Sequence, residues 1–261
     1  MDTGEQGVVH VTLRHAGRLN AMSRGMWRQL RAVFEDIQQR CDVRCVLIAG
    51  EGDAFCAGGD ISEYPGFRFD AAALRDFHEN DVWGGLNAML LCDVPIVAQI
   101  TGACMGAGVE IASCCDVRIA GSSARFGAPI AKLGFPMAPR EAQLVAGAVG
   151  DVTARQMLLE AATFSAADML ARGFLSRVVA DNAVAAEALG SAQRVAALAP
   201  QAARMNKQTF RALKVPLALD GKAQVAIKNV VNDAPDPYAY ANSAEHHEGI
   251  TAFLEKRAPV F

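Results

Sequence analysis

The chain has 261 residues, is 52% hydrophobic and carries a formal net charge of −3. That is enough for one large domain, or a domain with an appended subdomain, around a sizeable core. No basic block marks a nucleic-acid or membrane-surface partner. No apolar run approaches the ~18 residues of a membrane span, and the first ten residues lack the layout of a secretory signal. Seven cysteines without C-x-x-C spacing fit a reduced, cytoplasmic protein with buried thiols. None of the five histidines sits at ligand spacing from a cysteine, so no metal site is expected.

In chain order, Gly7–Leu13 alternates and is rich in β-branched residues, which predicts a strand on which His10 is a solvated position. Residues 14–21 form a loop with two arginines. From Ser23, Met26, Leu30, Val33, Phe34 and Ile37 recur at helical spacing, which predicts an amphipathic helix. Residues 44–49 read as a buried strand. It runs into Gly50-Glu51-Gly52-Asp53-Ala54-Phe55-Cys56-Ala57-Gly58-Gly59-Asp60-Ile61, with four glycines in ten residues from Gly50 to Gly59. Phe55, Cys56 and Ala57 would sit poorly on an exposed tip, so this loop is expected to pack against something. Residues 70–91 are mostly helical, weakened at Gly84-Gly85.

A second buried strand, 95–100, leads into Thr101-Gly102-Ala103-Cys104-Met105-Gly106-Ala107-Gly108-Val109-Glu110. Three glycines in seven residues then give way to an apolar helix carrying one carboxylate. Short strands follow at 116–120 and 124–127, and the alternation of strands and helices argues α/β layering. Beyond Ala138 helices dominate, at about 139–149, 151–162, 165–172, 182–199, 200–214, 216–233 and 243–256. Residues 176–179 form a last short strand. Ser165 and Asp168 have capping-box spacing.

Two strands thus end in glycine turns, and each turn can aim a backbone N–H at one point. Two converging donors make an oxyanion hole, in which losing one donor costs roughly 3–4 kcal/mol of transition-state stabilisation. Glu110, one helical turn further on, is a candidate general acid or base in an apolar pocket. Glu141, near a predicted helix start, reads first as a dipole partner and secondarily as a pocket acid. Asp116 reads as structural, and Asp60 as a residue that orders its loop. No G-x-S-x-G elbow, P-loop or G-x-G-x-x-G is present, which disfavours serine hydrolases, NTPases and dinucleotide enzymes.

Phe55-Cys56-Ala57-Gly58-Gly59-Asp60 and Gly102–Glu110 with Cys115-Asp116 resemble the two signature segments of the crotonase family, the enoyl-CoA hydratase/isomerase superfamily. Residues 18–23, 126–134, 173–179 and 248–257 extend the resemblance from about residue 8 to the C-terminus. It implies a crotonase-like α/β spiral of ββα units over residues 1–195. A C-terminal helical region, 196–261, would drive assembly into a homotrimer or dimer of trimers. It further implies an acyl-CoA thioester substrate, with coenzyme A as part of the substrate and no separate cofactor. By position, the oxyanion donors would be the N–H groups of Gly59 and Ala107. Asn20, Ala21, Met22, Ala57, Gly58, Asp60 and Ile61 would line the CoA path. Phe253 and Lys256 would reach a CoA on the neighbouring subunit. Glu110 falls on the first of the two glutamates used by the hydratases, but Ile130 stands at the second, and the glycine-rich segment after it is altered to Pro136–Glu141. The expectation is therefore an enoyl-CoA hydration or dehydration by a single glutamate. Isomerisation, decarboxylation or thioester hydrolysis on the same scaffold, or a weakly catalytic CoA-binding protein, are the alternatives. Phe135, Trp83, Phe67 and Phe69 are bulky enough to shape an acyl pocket.

Overall fold

The structure is a computed structural model that describes residues 2–3, 7–213 and 238–261. The helix expected at 216–233 lies outside the described residues.

The main sheet contains β1 (Asp2–Thr3), β2 (Val8–Leu13), β3 (Cys45–Gly50), β4 (Ile96–Ile100), β6 (Val117–Gly121) and β9 (Arg177–Val179), in that spatial order. From β2 to β9 every pairing is parallel, and β1 is antiparallel to β2. Parallel strands need crossovers, and helices supply them on both faces. Val9, Val11, Val46, Ile48, Ile96 and Ala98 join the larger core, which includes Trp27, Leu30, Phe34 and Ile37 of α1 (Arg24–Gln39). Alternate positions of the same strands, Val8, Cys45, Leu47, Val97 and Ile119, pack with Ala188, Ala192 and Ala196 of α8 (Val184–Ala196). Burial on both faces explains why β3 reads as an unbroken apolar run; each buried Val, Leu or Ile contributes about 1.5–3 kcal/mol. Ser23 caps α1 by accepting from the Met26 N–H at 3.1 Å, which stabilises the helix by about 1 kcal/mol.

A second, small sheet joins β5 (Ala103–Met105), β7 (Arg125–Gly127) and β8 (Thr163–Ser165). Two of these strands were not expected. β5 lies inside the second glycine stretch, and β8 ends what the helical pattern extended to residue 162. Helix α6 (Asp151–Leu159) stops at Leu159, Ala161 adopts φ +53°, and Phe164 pairs with Phe126 across an antiparallel ladder. α7 (Ala166–Ala171) begins with the expected capping box: Ser165 accepts from Asp168 N–H, and Asp168 accepts from Ser165 N–H.

Between β3 and β4 the chain forms a 3₁₀ turn (Ile61–Gly66), α2 (Ala71–Asp76), a π-helical turn (Phe77–Val82) and α3 (Trp83–Leu91). Gly84 and Gly85 do not interrupt α3. They let α1 approach, since a Cβ on Gly85 would lie 3.0 Å from the Trp27 ring. The irregularity falls instead on the π turn, a feature associated with functional sites. α4 (Ala107–Ser113) and α5 (Pro139–Val149) complete the layer around the small sheet, and α9 (Pro200–Leu213) and α10 (Ala244–Glu255) lie outside it. No helix among the described residues is long and apolar enough to cross a membrane.

Candidate active site

The two glycine turns are joined to each other by backbone hydrogen bonds. Phe55 N–H donates to Thr101 O at 2.8 Å, Cys56 N–H to Ala103 O at 2.9 Å, and Met105 N–H to Cys56 O at 2.9 Å. Gly106 adopts φ +46°, a region that costs an L side chain strain, and it aims the chain into α4. Gly108 lets α4 sit on the first turn, because a Cβ there would lie 2.5 Å from Cys56 O. The thiols beneath are not nucleophiles: burial pushes Cys56 up to about 12 and Cys104 well above its ordinary value.

The first turn is braced from behind. Asn20, in the left-handed region at φ +59°, donates from Nδ2 to Glu51 O and Ala54 O, and its Oδ1 accepts from His15 N–H at 3.2 Å. Ala21 is buried beside it, and Met22 pairs with the turn through Met22 N–H to Gly58 O and Asp60 N–H to Met22 O. Asp60 is buried and accepts from Ser62 N–H and Oγ–H. Those bonds hold its carboxyl below the usual range, with Arg18 and His15 each 3.9 Å away. The loop-ordering role expected of Asp60 is what the structure shows. Asp116 is likewise structural, accepting from Ile96 N–H at 2.7 Å and facing Lys207 at 2.9 Å.

A cavity of about 260 Å³ opens where the two turns meet. Ala57, Gly58, Gly59 and Ile61 line it from the first turn, Gly106, Ala107 and Glu110 from the second, and Ile130 from the following 3₁₀ turn. Among the described residues the N–H groups of Gly59 and Ala107 have no protein acceptor. Glu110 lines this cavity. Desolvation, with a further contribution from Glu141, pushes its carboxyl up to about 8. Glu141 is itself 3% exposed and lines the same cavity from the first turn of α5. Its placement corrects the reading of Glu141 as a plain dipole partner. Pro139 starts α5 one turn before the cavity wall and turns the Glu141 side chain inward, where Oε1 meets His78 Nδ1 at 3.1 Å.

His78 escaped sequence reasoning because ordinary helical spacing does not single it out. The π turn widens the helix and brings Phe77, His78 and Val82 to the cavity together. Tyr64 and Arg68 were also missed. The Tyr64 hydroxyl occupies the space that a Cβ on Gly59 would take, so a larger residue there would displace the Tyr64 side chain. Burial and the nearby carboxylates raise the Tyr64 phenol. Of the aromatic candidates, Phe135 lines the cavity and Phe69 a neighbouring one. Phe67 stacks on Phe77 with centroids 4.6 Å apart, and the Trp83 ring lies under Arg140. Phe253 is 82% exposed on α10, and Lys256 caps that helix in the left-handed region; neither lines the cavity.

A family model described as enoyl-CoA hydratase/isomerase matches residues 3–261. The chain belongs to the enoyl-CoA hydratase/isomerase family. It is 30% identical over 258 residues to a Mycobacterium tuberculosis protein named probable enoyl-CoA hydratase, covering 98% of this chain and 95% of that one. A second such protein of that organism is 35% identical over 216 residues, 83% of this chain and 82% of that one. The crystal structure of an enoyl-CoA hydratase/carnithine racemase from Magnetospirillum magneticum superposes with a TM-score of 0.88 at 32% identity, covering 100% of this chain and 96% of that one. The parallel sheet, the two joined glycine turns and the helical remainder are therefore the crotonase fold, and the protein is an acyl-CoA enzyme of this superfamily.

Proposed function

We propose that this protein hydrates an enoyl-CoA, and dehydrates the corresponding hydroxyacyl-CoA, using Glu110 and Glu141 as a proton-sharing pair. The carrying observation is that two carboxyl groups from different helices line one small cavity beside two unpaired backbone N–H groups. The thioester oxygen accepts from Gly59 and Ala107 N–H, with the α4 dipole adding to the second donor. Charge that develops on that oxygen as water adds to the β carbon is thereby stabilised.

At neutral pH Glu110, raised to about 8, carries a proton that it can give to the α carbon. Glu141, oriented by His78, takes the proton released by the attacking water. At the end of the step the proton has moved from one carboxyl to the other, and the reverse reaction begins from that state. The single-glutamate expectation is replaced by a pair in which Glu141 supplies the carboxyl that Ile130 cannot.

Coenzyme A enters beside Ala57, Gly58 and Ile61, against a wall braced by Asn20, Ala21, Met22 and Asp60. Phe253 and Lys256, exposed on α10, suit contact with a CoA held by a neighbouring subunit of a trimer. Exposed Phe210, Leu213, Leu254 and Val260 support burial of these side chains in that assembly.

The test is loss of the conjugated-enone absorbance of crotonyl-CoA. Wild type turns over, and Glu110→Gln lowers kcat/KM by about 10²–10⁴-fold. Undiminished activity in Glu110→Gln refutes the role assigned to that residue, and binding without turnover across a panel of enoyl-CoA thioesters would favour a CoA-binding protein.

A further inference from the structure

Arg68 is the one charged side chain of the cavity that the proposed chemistry leaves unused. It follows the 3₁₀ turn at Ile61–Gly66, and its N–H donates to Tyr64 O at 2.8 Å, which anchors the backbone. The guanidinium lies against two rings, 3.6 Å from the Phe135 centroid and 4.5 Å from that of Tyr64. Such stacking occupies the flat face of the group and leaves its edge, with the N–H fork, available. Among the described residues no carboxylate or carbonyl oxygen meets that fork. Partial burial lowers the Arg68 pKa, offset in part by Tyr64, with no carboxylate contributing. Other half-buried arginines among the described residues have partners: Arg24 meets Asp81, Arg211 meets Asp93, and Arg118 donates to three carbonyls.

Its place in the cavity tells which part of a ligand it meets. Arg68 lines the cavity that holds Glu110, and also a second cavity with Phe69, Leu74, Leu133 and Gly134. The second cavity shares Tyr64, His78 and Phe135 with the first, but not Gly59, Ala107 or Glu110. Ile61 and Leu133 also line both cavities, and Arg68 stands beyond Tyr64 from Gly59, away from Ala107 and Glu110, where the tail of an acyl group seated on the two N–H donors would reach. A simple hydrocarbon tail there would leave a partly desolvated cation without an anion, which is unfavourable. A carboxylate would accept two N–H bonds from the fork.

We propose that the preferred substrate is the CoA monothioester of a short dicarboxylic acid, its free carboxylate bound by Arg68. This rests on the acyl-CoA reading above and names the substrate class of the same site. The carboxyl pair, holding one proton, keeps one negative charge that would otherwise repel an anionic tail, so selectivity for it must come from Arg68.

Unreactive saturated analogues test this by binding alone. Isothermal titration compares adipyl-CoA with hexanoyl-CoA, which differ in the terminal carboxylate. Wild type should bind adipyl-CoA roughly tenfold or more tightly. Arg68→Met, which keeps the apolar stem, should bind hexanoyl-CoA as well as wild type does and lose or reverse the preference. Arg68→Lys should keep part of it, as a point charge without the fork. Equal wild-type affinities for the two thioesters would overturn the proposal. So would equal weakening of both by Arg68→Met, since that places Arg68 on the phosphates of coenzyme A. A preference for adipyl-CoA that persists while no enoyl-CoA is hydrated would refute the hydratase reading and leave this one standing.

Discussion

At the scale of single residues, the proton economy of Glu110 and Glu141 is what distinguishes this pocket. Two carboxyl groups share one apolar cavity, and the proposed reaction needs the pair to hold one proton in both directions. Hydration moves that proton from Glu110 to Glu141 and dehydration moves it back. The pH profiles of kcat/KM for hydration and for dehydration should therefore have the same shape, with a common fall above about pH 8 as Glu110 ionises. Glu141→Gln should depress both directions equally. Rate measurements from both substrates across about pH 4–9.5, a window that contains both the ordinary and the raised value of Glu110, check this. His78 acts through Glu141, at 3.1 Å, so it is a positioning residue and not part of the pair.

At the scale of elements, the site depends on two loops held together more than on either loop alone. The first turn contributes Gly59 and the second Ala107, and the bonds of Phe55, Cys56 and Met105 keep the two at a constant separation. Gly102 and Gly108 are points of close contact between the two turns. A methyl group on Gly108 meets Cys56 O at 2.5 Å and Cys56 Cβ at 3.1 Å, and the carbonyl cannot retreat without losing its bond from Met105 N–H. Gly108→Ala should destabilise the protein by about 1–3 kcal/mol, as overpacking of a filled core does, read from the midpoint of urea unfolding. Turnover should fall as well, since the second donor is displaced. The π turn works at the same scale, delivering His78 to a wall that a regular continuation of α2 into α3 would have built from other residues.

At the scale of the molecule, the raised carboxyl of Glu110 links the site to stability. Below about pH 4.5, the ordinary value, Glu110 holds its proton in both the folded and the unfolded chain, and its contribution to stability is fully present. As pH rises towards about 8 the unfolded chain releases the proton and the folded chain retains it, so stability falls across that window and levels off above it. The Tm of wild type should therefore drop relative to that of Glu110→Gln between about pH 5 and 8 and run parallel to it beyond; calorimetry on the two proteins tests the sign.

The same scale shows what could be read before the fold was known. Local chemistry sufficed where it alone decides the outcome. The buried strand at Cys45–Gly50, the capped helix starting after Ser23, the glycine turns and the capping box at Ser165 follow from periodicity and turn chemistry. The family resemblance carried by those turns is upheld by a match over nearly the whole chain. Tertiary structure decided the rest. β5 and β8 are three-residue strands with no periodicity of their own; both pair with β7, and β5 also bonds to Cys56 of the first turn. Glu141 lies 31 residues beyond Glu110, and His78 lies 32 before it, on separate elements. Residue type and spacing cannot bring them together. Packing of α5 and the π turn around one small cavity does, and it is that packing which places a second carboxyl in the pocket although Ile130 stands where the resemblance implied one.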